Sequence, residues 1–255
     1  MSAHILIGLI LSAGIGLSLG LIGGGGSIIT VPVLVYILGV DAHRAVGMSL
    51  AIVGATSLIG AGLHYRLNNV DIRTGMVLGG AGIVGAFFGS RLTYLFSPSV
   101  LLLAFAVLMI IISLLMLFGN QHSKPSTEVH GRSVFKALIA GMIVGLLTGF
   151  LGVGGGFLIV PTLTFFGGLS MKRAIGTSLL VITINSVAGL AGHLTRGTFD
   201  PQLTSLVVLL ATAGTFAGTR LSHRVSPVSL SRVFSIFVLT VAMFLVAKNY
   251  AAIIQ

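Results

Sequence analysis

Apolar residues in this chain run in long, nearly unbroken stretches, with polar residues confined to the short breaks between them. The stretches cover positions 5–22, 44–63, 74–96, 100–118, 135–151, 173–194, 203–221 and 230–246. Each approaches or exceeds the roughly 18–20 residues that a helix needs to cross a hydrocarbon core about 30 Å thick. Backbone groups in hydrocarbon must satisfy one another, which leaves helices or a closed barrel, and runs this continuous lack the alternation of a barrel strand. The pattern predicts an all-α, polytopic integral membrane protein. Two further apolar runs, 27–38 and 157–166, are too short to cross as ordinary helices.

Composition agrees. Hydrophobic residues make up 55% of the 255 positions and charged residues 7%, with a mean hydropathy of +1.13. Soluble domains carry about 25% charge, so the lipid bilayer is the expected surroundings. The formal charge of +10 would suggest nucleic acid in a soluble protein, but the 14 basic residues sit singly in short loops, as topology determinants do, and no nucleic-acid partner is expected. With no cysteine there is neither a disulfide nor a thiolate metal site. Positions 1–10 carry no Lys or Arg, so the charged start of a signal peptide is missing and the first apolar segment is expected to stay in place.

The chain matches itself at a shift of 129 residues without a gap from Gly20 to Leu101. Gly20, Gly23, Gly25, Gly26 and Pro32 fall on Gly149, Gly152, Gly154, Gly155 and Pro161; Arg44, Gly47, Ser49, Ser57, His64 and Asp71 fall on Arg173, Gly176, Ser178, Ser186, His193 and Asp200; Gly85, Gly89 and Arg91 fall on Gly214, Gly218 and Arg220. Matched Arg, His, Asp and Pro at one fixed shift mark a true internal repeat. Two transmembrane repeats, 1–119 and 133–255, are therefore expected, each of about four membrane helices plus a glycine-broken half-helix. Between them lies a polar linker, 120–132, which holds Glu128, the sole Glu.

Charge distinguishes parallel from inverted repeats. With four crossings per repeat the basic residues split seven against seven. If the short run after each glycine cluster turns the chain back, Arg66, Arg73, Lys124, Arg132, Lys136, Lys172, Arg173, Arg220, Arg224 and Arg232 share one face. Only Arg44, Arg91, Arg196 and Lys248 then lie opposite. That bias is what the positive-inside rule expects. Inverted repeats follow, with the linker cytoplasmic and both termini outside.

Two features carry candidate chemistry. The clusters at 23–26 and 152–156 break apolar runs, because each glycine costs about 1 kcal/mol relative to alanine inside a helix. The helix that restarts offers free N–H groups to an anion, which nominates Gly25, Gly26, Ser27, Gly154, Gly155 and Gly156 for substrate binding; close helix packing is the plainer role for such glycines. The pairs Gly85/Gly89 and Gly214/Gly218, at GxxxG spacing, read as packing. The second feature is a small, polar stripe on the span beginning at Arg44: Ser49, Thr56, Ser57, Gly60 and His64, repeated as Ser178, Asn185, Ser186, Gly189 and His193. It suits either a neutral lining for a polar solute or hydrogen bonding between helices. His64 and His193 are candidates for proton or charge sensing. Arg44/Arg173 and Arg91/Arg220 read as snorkelling topology residues.

The motif G-[LF]-[IL]-G-x-G-G-[GS], a proline in the next short segment, and [HK]-R-A-[VI]-G-[MT]-S-L occur at 20–27, Pro32 and 43–50, then again at 149–156, Pro161 and 172–179. This combination resembles the TauE/SafE sulfite-exporter family over nearly the whole chain. The resemblance implies an inner-membrane permease for sulfite, a sulfonate or a related small inorganic or organosulfur anion, running outward, with no enzyme chemistry, metal or cofactor. The second cluster departs from the first at Val153 and Gly156, which stand where the first has Gly24 and Ser27. An intramembrane enzyme is the poorer reading, because Asp41, Asp71, Glu128 and Asp200 all fall in loops or span ends. An anion channel or an assembly subunit is the other class.

Overall fold

A computed structural model describes residues 3–118, 134–151, 156–194, 200–222 and 224–249. The described residues form ten helices and no strand. They are α1 (Ala3–Ile22), α2 (Gly25–Pro32), α3 (Ala42–Arg66), α4 (Ile72–Leu92), α5 (Pro98–Phe118), α6 (Val134–Leu151), α7 (Gly156–Pro161), α8 (Met171–Leu194), α9 (Pro201–Ser222) and α10 (Pro227–Asn249). Each of the eight long apolar runs falls on one long helix. By length and composition, α3, α4, α8 and α9 can each cross a membrane. Ser27, Ser57, Thr56 and Asn185 are fully buried within an apolar core that includes Leu50, Val53 and Phe105, while Leu58, Phe88, Leu209 and Val187 lie exposed on the outside. Hydrocarbon is the solvent that favours such a surface.

Acidic side chains begin helices rather than enter the core. Asp41 accepts from the N–H groups of His43 and Arg44 at the start of α3, Asp71 from Thr74 at the start of α4, and Asp200 from Gln202 and Leu203 at the start of α9. Each satisfies an N–H that the helix itself leaves open.

The short segments repeat in backbone detail. After Pro32 the helix widens into a π turn, Val33–Ile37, closed by Leu38 N–H to Val33 O (3.0 Å) and Val40 N–H to Leu34 O (2.9 Å). After Pro161 the turn Thr162–Phe166 is closed by Gly167 N–H to Thr162 O (3.1 Å) and Leu169 N–H to Leu163 O (3.1 Å). Both turns end in a left-handed glycine, Gly39 (φ 68°) and Gly168 (φ 67°), a conformation that glycine adopts without strain.

Helix directions follow from which residues meet. A Cβ on Gly54 of α3 would stand 3.0 Å from Ser186 Cβ of α8; Gly47 faces His193, and Gly176 faces His64. These equivalent helices therefore cross antiparallel. Conversely α1 and α9 run parallel, Gly214 resting on Ala13 and Gly218 on Leu17, and so do α4 and α6, Gly85 resting on Met142 and Gly89 on Leu146. In all four places a methyl group would overlap a carbonyl oxygen of the partner helix, so the GxxxG pairs are packing seams. Helix α3 also runs alongside α9, with Ala45, Met48 and Ile52 clustered with Val207 near one end and Gly60 against Thr215 near the other. Since α1 and α3 are both parallel to α9, the segment between them must return the chain. It does so: Gly26 packs on Ile15 and Leu19, and Leu38 lies on Gly8. Between α1 and α3 the chain therefore reverses direction.

A neutral polar centre where the two long helices cross

The centre of the molecule is the crossing of α3 and α8. A hydroxyl inside a helix ordinarily finds an acceptor in the preceding turn. Thr56 does so, donating to Ile52 O at 2.7 Å, and Ser178 donates to Ile175 O at 2.7 Å. Ser49, Ser57 and Ser186 do not: all three are fully buried, and their Oγ atoms have no hydrogen-bond partner. Nor do Oδ1 and Nδ2 of Asn185, whose amide is pressed against Gly82 of α4. Each buried polar group left without a partner costs about 1–3 kcal/mol and calls for an explanation. None of these four side chains makes a helix-to-helix hydrogen bond in this structure.

The register places Ser57 and Ser186 close to the crossing point, while Ser49 lies about 12 Å from Ser57 along α3 at 1.5 Å per residue. The crossing carries buried hydroxyl and amide groups, and among the described residues no Asp, Glu, Lys or Arg is buried there. It can donate several hydrogen bonds to a polar solute and offers no fixed counter-charge to trap it.

The first glycine break meets α8 near its start. Gly23 adopts φ 78°, which turns the chain sharply, and a Cβ there would press on Ser178 Oγ. Ser27 is buried, and its hydroxyl donates to Gly24 O at 2.6 Å, closing the turn from which α2 restarts. Gly26 lies against α1, and Gly156 lies against Gly24 and Ile182, so the two breaks touch. Gly25 is the first residue of α2. Gly154 and Gly155 lie outside the described residues.

The two stripe histidines occupy different settings despite their matched positions. His64 ties the end of α3 to α1 through Nε2 and Gly20 O at 3.1 Å. His193 is buried, with neither ring nitrogen hydrogen-bonded, and its ring meets Tyr94 edge-on at 5.2 Å. Tyr94 stacks on His43 at 5.7 Å and 9°, and His43 Nε2 lies 3.2 Å from Phe96 O. Sequence reasoning missed this aromatic column, since His43 and Tyr94 stand 51 positions apart with no shared motif. It also missed Gly82, whose equivalent in the other half is Ala211.

Among the described residues no group of three or more His, Cys, Asp or Glu is placed to hold a metal ion. The model of the family described as "Sulfite exporter TauE/SafE" matches residues 7–245. A probable membrane transporter protein of Xylella fastidiosa (strain 9a5c) is 34% identical over 246 residues, covering 94% of each chain. The probable membrane transporter protein YdhB of Bacillus subtilis (strain 168) is 31% identical over 85% of this chain and 89% of its own. No solved structure matches. An outward apolar surface, polar side chains buried within an apolar core, and a match to the family model from residue 7 to residue 245 lead to one assignment: this chain belongs to the sulfite exporter TauE/SafE family of membrane transporters.

Proposed function

We propose that the protein carries a small sulfur-containing anion, sulfite or a sulfonate, outward across the cell's inner membrane. The observation that carries this reading is the set of unpartnered polar side chains at the α3/α8 crossing, Ser57 and Ser186, with Asn185 beside them where α8 meets α4 and Ser49 beyond them. An oxyanion of sulfur accepts several hydrogen bonds at once and matches such a lining. The restart of α2 at Gly25, Gly26 and Ser27 lies against Gly156, where α7 begins, and adds N–H groups to the proposed site; Gly154 and Gly155 are proposed as its counterpart from the sequence repeat alone. Thr56 and Ser178, whose hydroxyls are already engaged, contribute shape to the lining.

The halves 1–119 and 133–255 are taken as inverted repeats joined by 120–132, with the linker cytoplasmic and both termini outside. The reversal between α1 and α3 supports this, since with five passages per half ten of the fourteen basic residues would share the linker side, as the positive-inside rule expects. Substrate at the repeat interface near mid-membrane is the usual arrangement in carriers built this way. The test is sulfite flux into proteoliposomes holding the purified protein. Saturable flux that is lost in a Ser57→Ala/Ser186→Ala double variant, with the protein still folded, is the expected result; flux proportional to concentration at all levels would mean a pore, and full flux in the variant would move the site elsewhere.

A further inference from the structure

The two ends of the α3/α8 crossing are built from equivalent residues, yet they are not in the same condition. At the end where α3 finishes and α8 begins, the α3–α4 loop is fastened to α8. Arg173 approaches Asp71 (Nη2 to Oδ2, 3.9 Å), the Asp71 N–H donates to Thr177 Oγ1 at 2.8 Å, and Asn69 O lies directly on Gly176. Asp71 uses its two oxygens separately, Oδ1 to begin α4 and Oδ2 to meet Arg173. At the opposite end the residues equivalent to Asp71 and Arg173 are Asp200 and Arg44. Asp200 begins α9 just as Asp71 begins α4, but Asp200 and Arg44 are both exposed and make no ion pair with each other. Over Gly47, the equivalent of Gly176, lies the ring of His193.

In a protein made of two inverted copies, the conformation of one copy is available to the other. Exchanging them turns the molecule to face the opposite side of the membrane. The charged pair is present in both copies although this conformation uses it in one. We propose that Asp71–Arg173 and Asp200–Arg44 are alternating latches, the first closing its end of the crossing in this conformation and the second closing the other end when the first is released. The inference rests on the carrier reading above and adds to it the residues that fasten each end. A half-exposed pair at 3.9 Å is weak, which suits a contact that must break in every cycle. It also gives Arg44 and Arg173 a task beyond setting topology.

The chain has no cysteine, so paired cysteines report without background. Asp71→Cys/Arg173→Cys and Arg44→Cys/Asp200→Cys are each treated with a short bifunctional thiol reagent that a reductant cleaves, and sulfite flux is followed in proteoliposomes. The 71–173 pair is expected to link readily and the 44–200 pair slowly; either link stops flux, and reductant restores it. Arg173→Ala leaves the α4 cap intact and should speed 44–200 linking about two- to fivefold, the range for losing an exposed ion pair. An unchanged rate in that background, undiminished flux through the 71–173-linked protein, or a four-cysteine variant holding both links in one molecule would each overturn the proposal. Linking that alternates as described while flux in the parent protein never saturates would keep the latches and remove the carrier reading, so the two fail separately.

Discussion

Asn185 offers the sharpest test, because one substitution should raise stability and remove function. Its two amide atoms are buried without partners, at a cost of about 1–3 kcal/mol each. The other half of the molecule shows how to avoid that cost. Thr56 stands at the equivalent position, and its hydroxyl donates to Ile52 O at 2.7 Å; Val181 O is the matching acceptor for a threonine at 185. Thr and Asn are close in volume, so Asn185→Thr leaves the fit against Gly82 nearly intact while ending both unmet demands. Polar groups in a membrane also find some partners in the unfolded state, which places the gain at the low end, about 2 kcal/mol. Transport should move the other way. A hydrogen bond to a charged group contributes about 1.5–3 kcal/mol, so losing it weakens substrate affinity about 10- to 150-fold. Thermal unfolding of the purified protein in detergent reads the first quantity, and the concentration dependence of sulfite flux reads the second. A variant that unfolds earlier yet transports normally would refute the reasoning, since it would mean that the amide is held by the protein rather than kept for the solute.

Gly85→Ala places a methyl group on Met142 O and should destabilise the protein by about 1–3 kcal/mol, whereas Gly80→Ala, with no atom within 4 Å of the new Cβ, should be neutral or stabilising by up to about 1 kcal/mol; thermal unfolding of both separates packing from propensity. Cysteines introduced singly at Ser2, Ser126 and Gln255 should react with an impermeant maleimide from outside at 2 and 255 and not at 126; a protected 255 together with a protected 126 would restore parallel repeats. The centre has no charged side chain to relay protons, so flux should follow an imposed membrane potential, about 2.3 kcal/mol or nearly fiftyfold per 100 mV for a monoanion, and persist without a pH gradient. Flux that ignored voltage and vanished with the pH gradient would instead make His193 and His64 the first residues to replace.

Much of the architecture was legible because the repeat is written in residues with backbone consequences. Pro32 and Pro161 precede identical π turns, and Gly39 and Gly168 adopt the same left-handed turn, so the shift of 129 residues in the sequence is also a repeat of hydrogen bonds. The packing of Gly26 and Leu38 along α1 turns the chain back after the first glycine cluster. Less visible was which helix would face which. Gly82 is one more glycine on a helix rich in them, and nothing in its neighbours marks it as the surface for Asn185. The stripe was found by its period, but which of its hydroxyls turn back on their own helix depends on rotamers that packing selects. Thr56 and Ser57 are adjacent, and one is satisfied while the other is not.

The parallel seams between α1 and α9 and between α4 and α6 bear on how the protein is made. Helix α1 enters the bilayer well before α9, the partner whose glycines fit its backbone, which is synthesised about 200 residues later. At a ribosomal rate of about 5–20 residues per second, α1 waits on the order of ten seconds or more in lipid before its seam can close. A seam of glycine against carbonyl suits that wait. It asks for no side-chain rearrangement on either helix, it leaves no charged or amide group seeking a wrong partner in the meantime, and it can close only when the second half has arrived to supply α9.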